Sequence, residues 1–190
     1  MSGPASPIWE KTLSATTADQ THALGARLAG VLKPGDLVVL SGELGAGKTT
    51  FTQGLGEGLG VRAGVISPTF VLVRIHPNLP DGPRPGGPDL VHVDAYRLGS
   101  AAEIDDIDLE NTMDTAVTVV EWGRDRVEHL SESRLEIDLH RAIGGAAAES
   151  KLDEGDVLDF DDADVDEPRT IVMRGYGPRW PAAPDLEGPR

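Results

Sequence analysis

Residues 37–50 read LVVLSGELGAGKTT and decide the fold of this chain. Four apolar residues predict a buried strand, the glycine-rich residues after them predict a turn, and the last residues lead into a segment with helical spacing. The turn matches the pattern G-x-x-x-x-G-K-[ST] of a phosphate-binding loop, with its fixed positions at Gly42, Gly47, Lys48 and Thr49. A strand, a turn and a helix in this order are the structural context that such a loop requires.

Each residue type in this loop has a physical task. Glycine lets the backbone approach an anion without a Cβ in the way, and N–H groups at the start of the helix bind phosphate. The ammonium of Lys48 approaches the terminal phosphates, and the hydroxyl of Thr49 binds Mg²⁺. The predicted nucleotide contacts are Gly42, Glu43, Leu44, Gly45, Ala46, Gly47, Lys48, Thr49 and Thr50. A chance match is the alternative in a chain with 23 glycines, but the flanking strand and helix patterns argue against it.

The composition indicates one compact domain. A length of 190 residues suffices for a single sizeable core, and the absence of Cys excludes disulfides and thiolate metal sites. The sequence contains neither a basic region followed by an apolar run at its start nor an apolar stretch of about 20 residues. We therefore expect a cytoplasmic protein that does not enter a membrane. The net charge of −15 argues against direct binding of a nucleic-acid backbone.

The domain is predicted to cover residues 13–176. Residues 1–12 are expected to be a disordered lead, and residues 177–190, which contain four prolines, are expected to be a flexible tail. Two irregular segments are predicted within the domain. Residues 77–88, with five prolines and three glycines, fit a hairpin connection or a mobile insertion. Residues 144–168 fit a disordered insertion or a long flexible hairpin tip, and they carry much of the negative charge.

The remaining patterns predict a mixed sheet with flanking helices. A capping box at Thr17 and Gln20 predicts a helix over residues 17–32. The helix that starts at Lys48 contains three glycines, each of which weakens it by roughly 1 kcal/mol, so packing has to hold it. Strands are predicted at residues 71–75, 90–93, 117–120 and 134–140 (with one face in water), a short helix at 100–109, and a final edge strand at 170–173. This order predicts a small P-loop α/β domain whose sheet is parallel at its centre and antiparallel at one edge.

Two acidic residues lie where an apolar strand ends. Asp94 follows residues 90–93, and Glu121 follows residues 117–120. An open α/β sheet places its site at this edge, and a P-loop needs an acid for Mg²⁺ and a group that orients the attacking water. Both residues are therefore candidates, although an acid that closes a strand is also a common turn residue.

Three further residues each allow two interpretations. Thr69 lies in a loop with a proline, where a hydroxyl could sense the terminal phosphate as a switch element does, or could be an ordinary turn residue. His92 lies within a predicted strand and fits a packed or half-exposed side chain better than a general base. Trp122 could stack on a base or dock a partner, but an aromatic residue directly after a strand usually belongs to the core.

In their order and separations, four motifs resemble those of the TsaE (YjeE) family of bacterial P-loop ATPases. They are SGELGAGKTTF, SPTF, HVDAYRL and VVEWG. The resemblance covers roughly residues 17–140. It implies ATP binding and slow hydrolysis with Mg²⁺, coupled to a TsaB–TsaD complex. That complex transfers a threonylcarbamoyl group to N6 of adenosine 37 in tRNA, so the ATPase reaches tRNA only indirectly.

The resemblance also implies roles for individual residues. Lys48 would contact the terminal phosphate, and Thr49 and Glu121 would bind Mg²⁺. Asp94 resembles the catalytic acid of the family, and Thr69 resembles its switch-like threonine. The neighbouring Tyr96 and Arg97 are expected to position the site or the partner surface.

Two other functions stay open at the level of the sequence. A small-molecule kinase shares the loop and the domain size, and Arg74 and Arg84 lie near one loop that could form its lid. A nucleotide-gated binding module would use ATP to order the loop of Thr69 for a partner, with incidental hydrolysis. A GTPase is disfavoured because the guanine-reading pattern N-K-x-D is absent.

Overall fold

The structure is a computed structural model that describes residues 5–66, 68, 72–96, 98, 101–105, 107–141 and 168–187. In this described part, the strands are β1 (Trp9–Ala15), β2 (Leu37–Gly42), β3 (Val73–His76), β4 (Asp89–Asp94), β5 (Ala116–Glu121), β6 (Arg134–Arg141) and β7 (Arg169–Tyr176). The helices are α1 (Ala18–Ala29), α2 (Lys48–Leu59), α3 (Ala101–Asp105) and α4 (Glu110–Met113), with a 3-10 turn at Glu128–Leu130. None of these helices is long and apolar enough to cross a membrane.

The strands form one sheet in the order β1-β7-β6-β2-β5-β4-β3. The central strands β6, β2, β5 and β4 pair in parallel. The outer pairs, β1 with β7, β7 with β6 and β3 with β4, are antiparallel. This topology confirms the predicted mixed sheet with a parallel centre, and the antiparallel pairing occurs at both edges of the sheet.

The first strand corrects the predicted disordered lead. Residues 9–12 belong to β1, which pairs with β7 along its whole length. Alternate residues of β1 are half-buried and exposed, and the indole Nε1 of Trp9 donates a hydrogen bond of 3.0 Å to the carbonyl of Trp180. Because β1 covers β7, the last strand is second from the edge and not the edge strand that the sequence predicts.

The residues after β7 also depart from the predicted flexible tail. The side chains of Trp180 and Leu186 are 3% and 2% exposed and belong to the main core. The guanidinium of Arg179 lies 3.0 Å from the carboxylate of Asp36, directly before β2. Apolar burial and this ion pair therefore hold residues 177–187 against the domain.

Helices α1 and α2 pack against each other on one face of the sheet. Thr17 caps α1, as predicted, by accepting a hydrogen bond of 3.2 Å from the N–H of Gln20, although the helix ends at Ala29 rather than residue 32. A Cβ at Gly54 of α2 would lie only 1.9 Å from the carbonyl oxygen of His22. The glycines that weaken α2 therefore allow the two backbones to approach.

The opposite face of the sheet is covered in two ways. Over β4 and β5, the residues of α3 and α4 form a second apolar cluster with the strands. Over β6, three of the four side chains predicted to face water are buried in an ion-pair network: Arg134, Glu136 and Asp138 are about 5–6% exposed. Their partners include Arg124 and Arg174. The fourth side chain, His140, is exposed as predicted. The alternation of apolar and polar residues in β6 therefore corresponds to two faces that are both largely buried, one in the apolar core and one among ion pairs.

Two predicted irregular segments have different outcomes. Residues 77–88 connect β3 to β4, which pair as a hairpin. The guanidinium of Arg84 in this loop donates 2.9 Å hydrogen bonds to the carbonyls of Ala29 and Leu32 at the end of α1. The predicted acidic insertion falls outside the described residues, except for its last residue.

Candidate nucleotide-binding site

The loop between β2 and α2 has a backbone that only glycine adopts readily. Gly45 and Gly47 have φ values of 78° and 98°, and Gly47 is the residue that caps α2. Gly42 has a different constraint, because a Cβ there would lie 2.8 Å from the carbonyl oxygen of Leu139. The glycines of the motif thus serve two left-handed positions and one close approach to β6.

The loop is held at its base and projects at its tip. The N–H of Ala46 donates a 3.1 Å hydrogen bond to the carbonyl of Glu43 and closes the turn. The carboxylate of Glu43 accepts a 3.1 Å bond from the N–H of Arg141, and Arg169 donates a 3.2 Å bond to the carbonyl of Gly45. Leu44 at the tip is 90% exposed. The last residue of β6 and the first residue of β7 therefore support the loop from one side.

Lys48 begins α2 and is only 9% exposed. Its Nζ donates hydrogen bonds of 2.7 Å to the carbonyl of Gly42 and 3.1 Å to the carbonyl of Glu43. Burial lowers the pKa of Lys48, while the carboxylates of Glu121, Asp94 and Glu43 act in the opposite direction. The two residues after it, Thr49 and Thr50, are half-buried in the first turn of α2.

Asp94 and Glu121 are brought together at the carboxyl edge of the sheet, as their positions after two apolar runs suggest. They are paired in register at the ends of β4 and β5, and they are 4% and 3% exposed. Asp94 accepts a 2.9 Å hydrogen bond from the N–H of Tyr96. Glu121 is also in register with Leu40 of β2. Glu121 therefore lies on the strand next to the loop, and Asp94 lies one strand further away.

His92 has a contact that the sequence interpretation missed. Its ring is completely buried, as a packed side chain should be, and its Nε2 lies 3.0 Å from the Oε1 of Glu121. His92 precedes Asp94 by two residues and therefore shares its face of β4. The register of β4 and β5 brings that face beside Glu121. The period of two was visible in the sequence, but the register was not.

Trp122 lies over the loop rather than in the core. Its φ of 60° is unusual for a residue other than glycine, and its N–H donates a 3.1 Å hydrogen bond to the carbonyl of Leu40. The Nζ of Lys48 lies 4.9 Å from the centre of its ring, and the ring of Tyr96 lies at 5.5 Å. The two aromatic residues thus border the site at the ends of β4 and β5.

The segment after Trp122 is fixed by two arginines that the sequence analysis did not single out. Arg124 forms a 2.6 Å ion pair with Asp138 of β6. Arg126 donates a hydrogen bond to the carbonyl of Ala95, directly after β4. Two other predicted site residues, Thr69 and Arg97, lie outside the described residues.

The donor set fits a nucleotide that carries Mg²⁺. In the ranges that the structure describes, no three His, Cys, Asp or Glu side chains come together to form a metal site of their own. Mg²⁺ usually keeps several waters and binds through one or two protein oxygens plus substrate phosphates. Thr49 and Glu121 offer oxygens of that kind beside the loop.

The P-loop NTPase fold is defined by a central parallel strand that leads through this loop into a helix. Here acidic residues also lie at the ends of the next two strands, β5 and β4. The family model "Threonylcarbamoyl adenosine biosynthesis protein TsaE" matches residues 15–147. The chain therefore belongs to the TsaE family, which confirms the resemblance seen in the sequence.

Individual relatives and a solved structure agree with this assignment. The "tRNA threonylcarbamoyladenosine biosynthesis protein TsaE" of Streptomyces coelicolor is 51% identical over 161 residues, which are 84% of this chain and 93% of that protein. The Bacillus subtilis protein of the same name is 40% identical over 125 residues, 65% of this chain and 73% of that protein. The crystal structure of Bacillus subtilis YdiB superposes with a TM-score of 0.62 at 30% identity and covers 94% of this chain and 92% of that one.

Proposed function

We propose that the protein is a Mg²⁺-dependent ATPase that acts in the formation of N6-threonylcarbamoyladenosine in tRNA, together with TsaB- and TsaD-type partners. The observation that carries the proposal is the position of Lys48. Its buried ammonium lies at the mouth of a phosphate-binding loop, within the field of Glu121 and Asp94. The pathway is supported by the family to which the chain belongs.

The loop and α2 would hold the phosphates. Backbone N–H groups at the start of a helix bind anions, and the helix dipole there also favours negative charge. Lys48 would exchange its hydrogen bonds with the Gly42 and Glu43 carbonyls for bonds to the terminal phosphate. The low exposure of Lys48 strengthens that attraction, because charges interact more strongly where water is excluded.

The two acidic residues would divide the remaining tasks. Glu121, on the strand next to the loop, would bind Mg²⁺ together with the Thr49 hydroxyl. When bound, the metal neutralises charge on the phosphates. Asp94, one strand further away and held by the N–H of Tyr96, would orient the attacking water and accept its proton. Thr69 would act as the switch-like residue.

The charge of the chain supports an indirect role at tRNA. A net charge of −15 opposes binding to a phosphate backbone. An ATPase that works through TsaB- and TsaD-type partners does not need to bind tRNA itself. We extend to this chain the pathway that the names of its relatives state.

The kinase alternative loses support in the structure. The guanidinium of Arg84 is engaged at the end of α1, and Arg74 lies within strand β3, paired with β4, rather than in a loop. The variant Asp94→Ala distinguishes the binding-module alternative from the proposed ATPase. If partner binding and tRNA modification both survive without hydrolysis, nucleotide gating is the function and the catalytic role of Asp94 is wrong.

The test of the proposal is ATP binding and turnover by the variants Lys48→Ala and Lys33→Ala. Lys33 is exposed in the turn before β2, so its variant removes the same charge away from the site. We expect Lys48→Ala to lose at least tenfold in ATP affinity or turnover, and Lys33→Ala to behave like the wild type. ATP affinity and turnover of Lys48→Ala that are both near normal would refute the P-loop assignment.

Turnover should then be measured with the TsaB and TsaD proteins of the same organism and tRNA. An increase that requires these partners supports the tRNA-modification role. Turnover that ignores them and rises with a small alcohol or nucleoside would instead support a kinase.

A further inference from the structure

The side chain of Glu121 is held by one buried hydrogen bond from a neighbouring strand. The Nε2 of His92 lies 3.0 Å from Oε1 of Glu121, and the two side chains are 0% and 4% exposed. A carboxylate in so little water depends on protein donors, since water cannot replace a lost bond cheaply. His92 therefore constrains the rotation of the Glu121 carboxylate.

The hydrogen-bond partners define which ring nitrogen carries the proton. An ionised carboxylate only accepts hydrogen bonds, so the Nε2 of His92 must be the donor. The Nδ1 of His92 is buried and has no hydrogen-bond partner. An Nδ1–H group there would be a buried donor without an acceptor, which is less favourable than an unpaired acceptor. The geometry thus favours the Nε2–H tautomer, in which one donor points at Glu121.

The surroundings of His92 leave Glu121 as its polar partner. Arg74 is in register with His92 on β3, and its buried Nε lacks a hydrogen-bond partner. The Nε2 of His76, two residues further along β3, is also buried without one. Neither neighbour forms a hydrogen bond with His92, since the Nδ1 of His92 is also without a partner.

We infer that His92 is a positioning residue of the site: it fixes Oε1 of Glu121, so that Oε2 is the oxygen left for a ligand beside Lys48 and Thr49. This inference deepens the proposed function and rests on it for the identity of that ligand. Metal-binding side chains are commonly oriented by such outer hydrogen bonds, whose loss weakens metal affinity by 10–100-fold. No sequence motif alone shows this contact, because it depends on the β4–β5 register.

The test compares His92→Leu, His92→Gln and a control, His76→Gln. Leu fills much of the volume without a donor, while the side-chain amide of Gln places an N–H donor near the position of Nε2. His76 is also buried, and its variant disturbs the same pair of strands without touching Glu121. Urea unfolding of all variants shows whether each of them is folded.

The main readout is ADP affinity with and without Mg²⁺, measured by calorimetry. We expect His92→Leu to lose at least tenfold of the Mg²⁺-dependent gain in affinity, with Mg²⁺-free affinity changed less than twofold. His92→Gln should stay within about threefold of the wild type, and His76→Gln should match it. A wild-type Mg²⁺ response in His92→Leu, or an equal loss in both His92 variants, would overturn the inference.

A second readout needs neither Mg²⁺ nor a leucine variant. Nitrogen-15 chemical shifts of the wild-type protein distinguish a protonated Nε2 from a bare one. An Nδ1–H tautomer of His92 would overturn the inference even if the binding data agreed. ADP affinity of the wild type that is independent of Mg²⁺ would count against the metal in the proposed function, and the tautomer would still decide the His92–Glu121 contact.

Discussion

Lys48, Asp94 and Glu121 are charged side chains that the fold removes almost completely from water. Burial of a charge is costly unless it is paired and hydrogen-bonded. Here the ammonium of Lys48 has two backbone carbonyls as acceptors, and the two carboxylates accept bonds from Tyr96 and His92. Such an arrangement is typical of a binding site, because the protein keeps charges in place before a ligand arrives.

Trp122 provides a prediction at this scale. Its ring lies 4.9 Å from the Nζ of Lys48, so a nucleotide that draws Lys48 onto its phosphates should change the surroundings of the indole. We expect ATP or ADP to alter the intrinsic fluorescence of the protein, and Trp122→Phe to remove most of this change. Trp9→Phe is the matched control, because Trp9 lies at the end of β1 that is far from the phosphate-binding loop. The other end of β1 pairs with Arg169, which contacts Gly45 of that loop. An unchanged nucleotide response in Trp122→Phe would contradict the prediction.

Single residues of the site were predictable where local chemistry defines them. The glycines, Lys48 and Thr49 follow from the loop motif, and Asp94 and Glu121 follow from the ends of apolar runs. The positions of His92 and Trp122 were not predictable in the same way. One depends on the register between two strands, and the other depends on a left-handed backbone that sequence periodicity does not indicate.

At the scale of elements, the packing of α1 against α2 explains why α2 contains three glycines, although glycine opposes helix formation. Glycine costs about 1 kcal/mol relative to alanine within a helix. In return, the backbones of α1 and α2 approach so closely that a Cβ at Gly25 would lie 2.2 Å from the carbonyl of Phe51, and one at Gly58 would lie 2.5 Å from the carbonyl of Ala26. The sequence showed that packing has to hold α2, and the structure identifies α1 as the element that does so.

Gly54→Ala should therefore destabilise the protein despite the better helix propensity of alanine. The new Cβ would meet the carbonyl of His22 at 1.9 Å, and backbone atoms cannot move aside as a flexible side chain can. We expect a loss of about 3 kcal/mol in the free energy of unfolding, at the upper end of overpacking costs. Urea denaturation measures the loss, with Glu57→Ala on the exposed side of the same helix expected to change stability by about 0.5 kcal/mol or less. A Gly54→Ala protein as stable as the wild type would show that α1 can shift away.

Three strands of the parallel centre, β2, β4 and β5, were predictable because each is a largely apolar run with a clear end. The antiparallel pair β1 and β7 was harder to recognise. Strand β1 alternates between half-buried and exposed residues, so its sequence resembles a polar lead. Its place in the sheet depends on β7, which lies more than 150 positions later in the chain. Long-range pairing of this kind leaves little trace in the local sequence.

At the scale of the whole molecule, the last residues connect parts that are distant in sequence. Trp180 accepts a hydrogen bond from Trp9 at its carbonyl, and its ring lies 4.2 Å from the guanidinium of Arg179. Arg179 in turn pairs with Asp36 before β2. The C-terminal residues thus tie the first strand to the strand that leads into the phosphate-binding loop.

Trp180→Ala should lower the stability of the entire domain. The side chain is 3% exposed and belongs to the main core, and truncation of a buried Trp costs about 3–5 kcal/mol. We expect a loss of about 3 kcal/mol in urea denaturation. The control is Glu187→Ala in the same segment, which is exposed and should change stability by about 0.5 kcal/mol or less. If both variants unfold like the wild type, the packed tail does not contribute to stability in solution.

The ion-pair network on β6 connects the two halves of the sheet. Asp138 accepts bonds of 2.6 Å from both Arg124, which follows Trp122, and Arg174 of β7. Arg174 continues to Glu10 of β1 at 2.7 Å. One buried carboxylate therefore links the segment that borders the candidate site to the antiparallel edge. A network whose partners lie on three strands and on the segment after β5 should influence the stability of the whole domain rather than one strand.

This network makes the stability of the protein depend on pH at the acidic end. Burial alone would raise the pKa of Asp138, but the hydrogen bonds and charges of Arg124 and Arg174 outweigh burial and lower it. A carboxyl group with a lowered pKa binds its proton more weakly in the folded state than in the unfolded state. Its contribution to stability is therefore complete above its usual pKa and is lost as the pH falls through the lowered value.

Asp138→Asn removes this charge at nearly constant volume. At pH 7 we expect it to cost about 2 kcal/mol, less than a fully buried pair, because Arg124 remains 43% exposed. The difference from the wild type should shrink as the pH falls below the usual pKa of an aspartate and then through the lowered pKa of Asp138. Urea denaturation across this range tests both statements, with Glu10→Gln at the exposed end of the network expected to change stability by about 0.5 kcal/mol or less throughout. A difference that stays constant down to the lowest pH would mean that the substitution perturbs packing, and that the two arginines do not stabilise the ionised carboxylate.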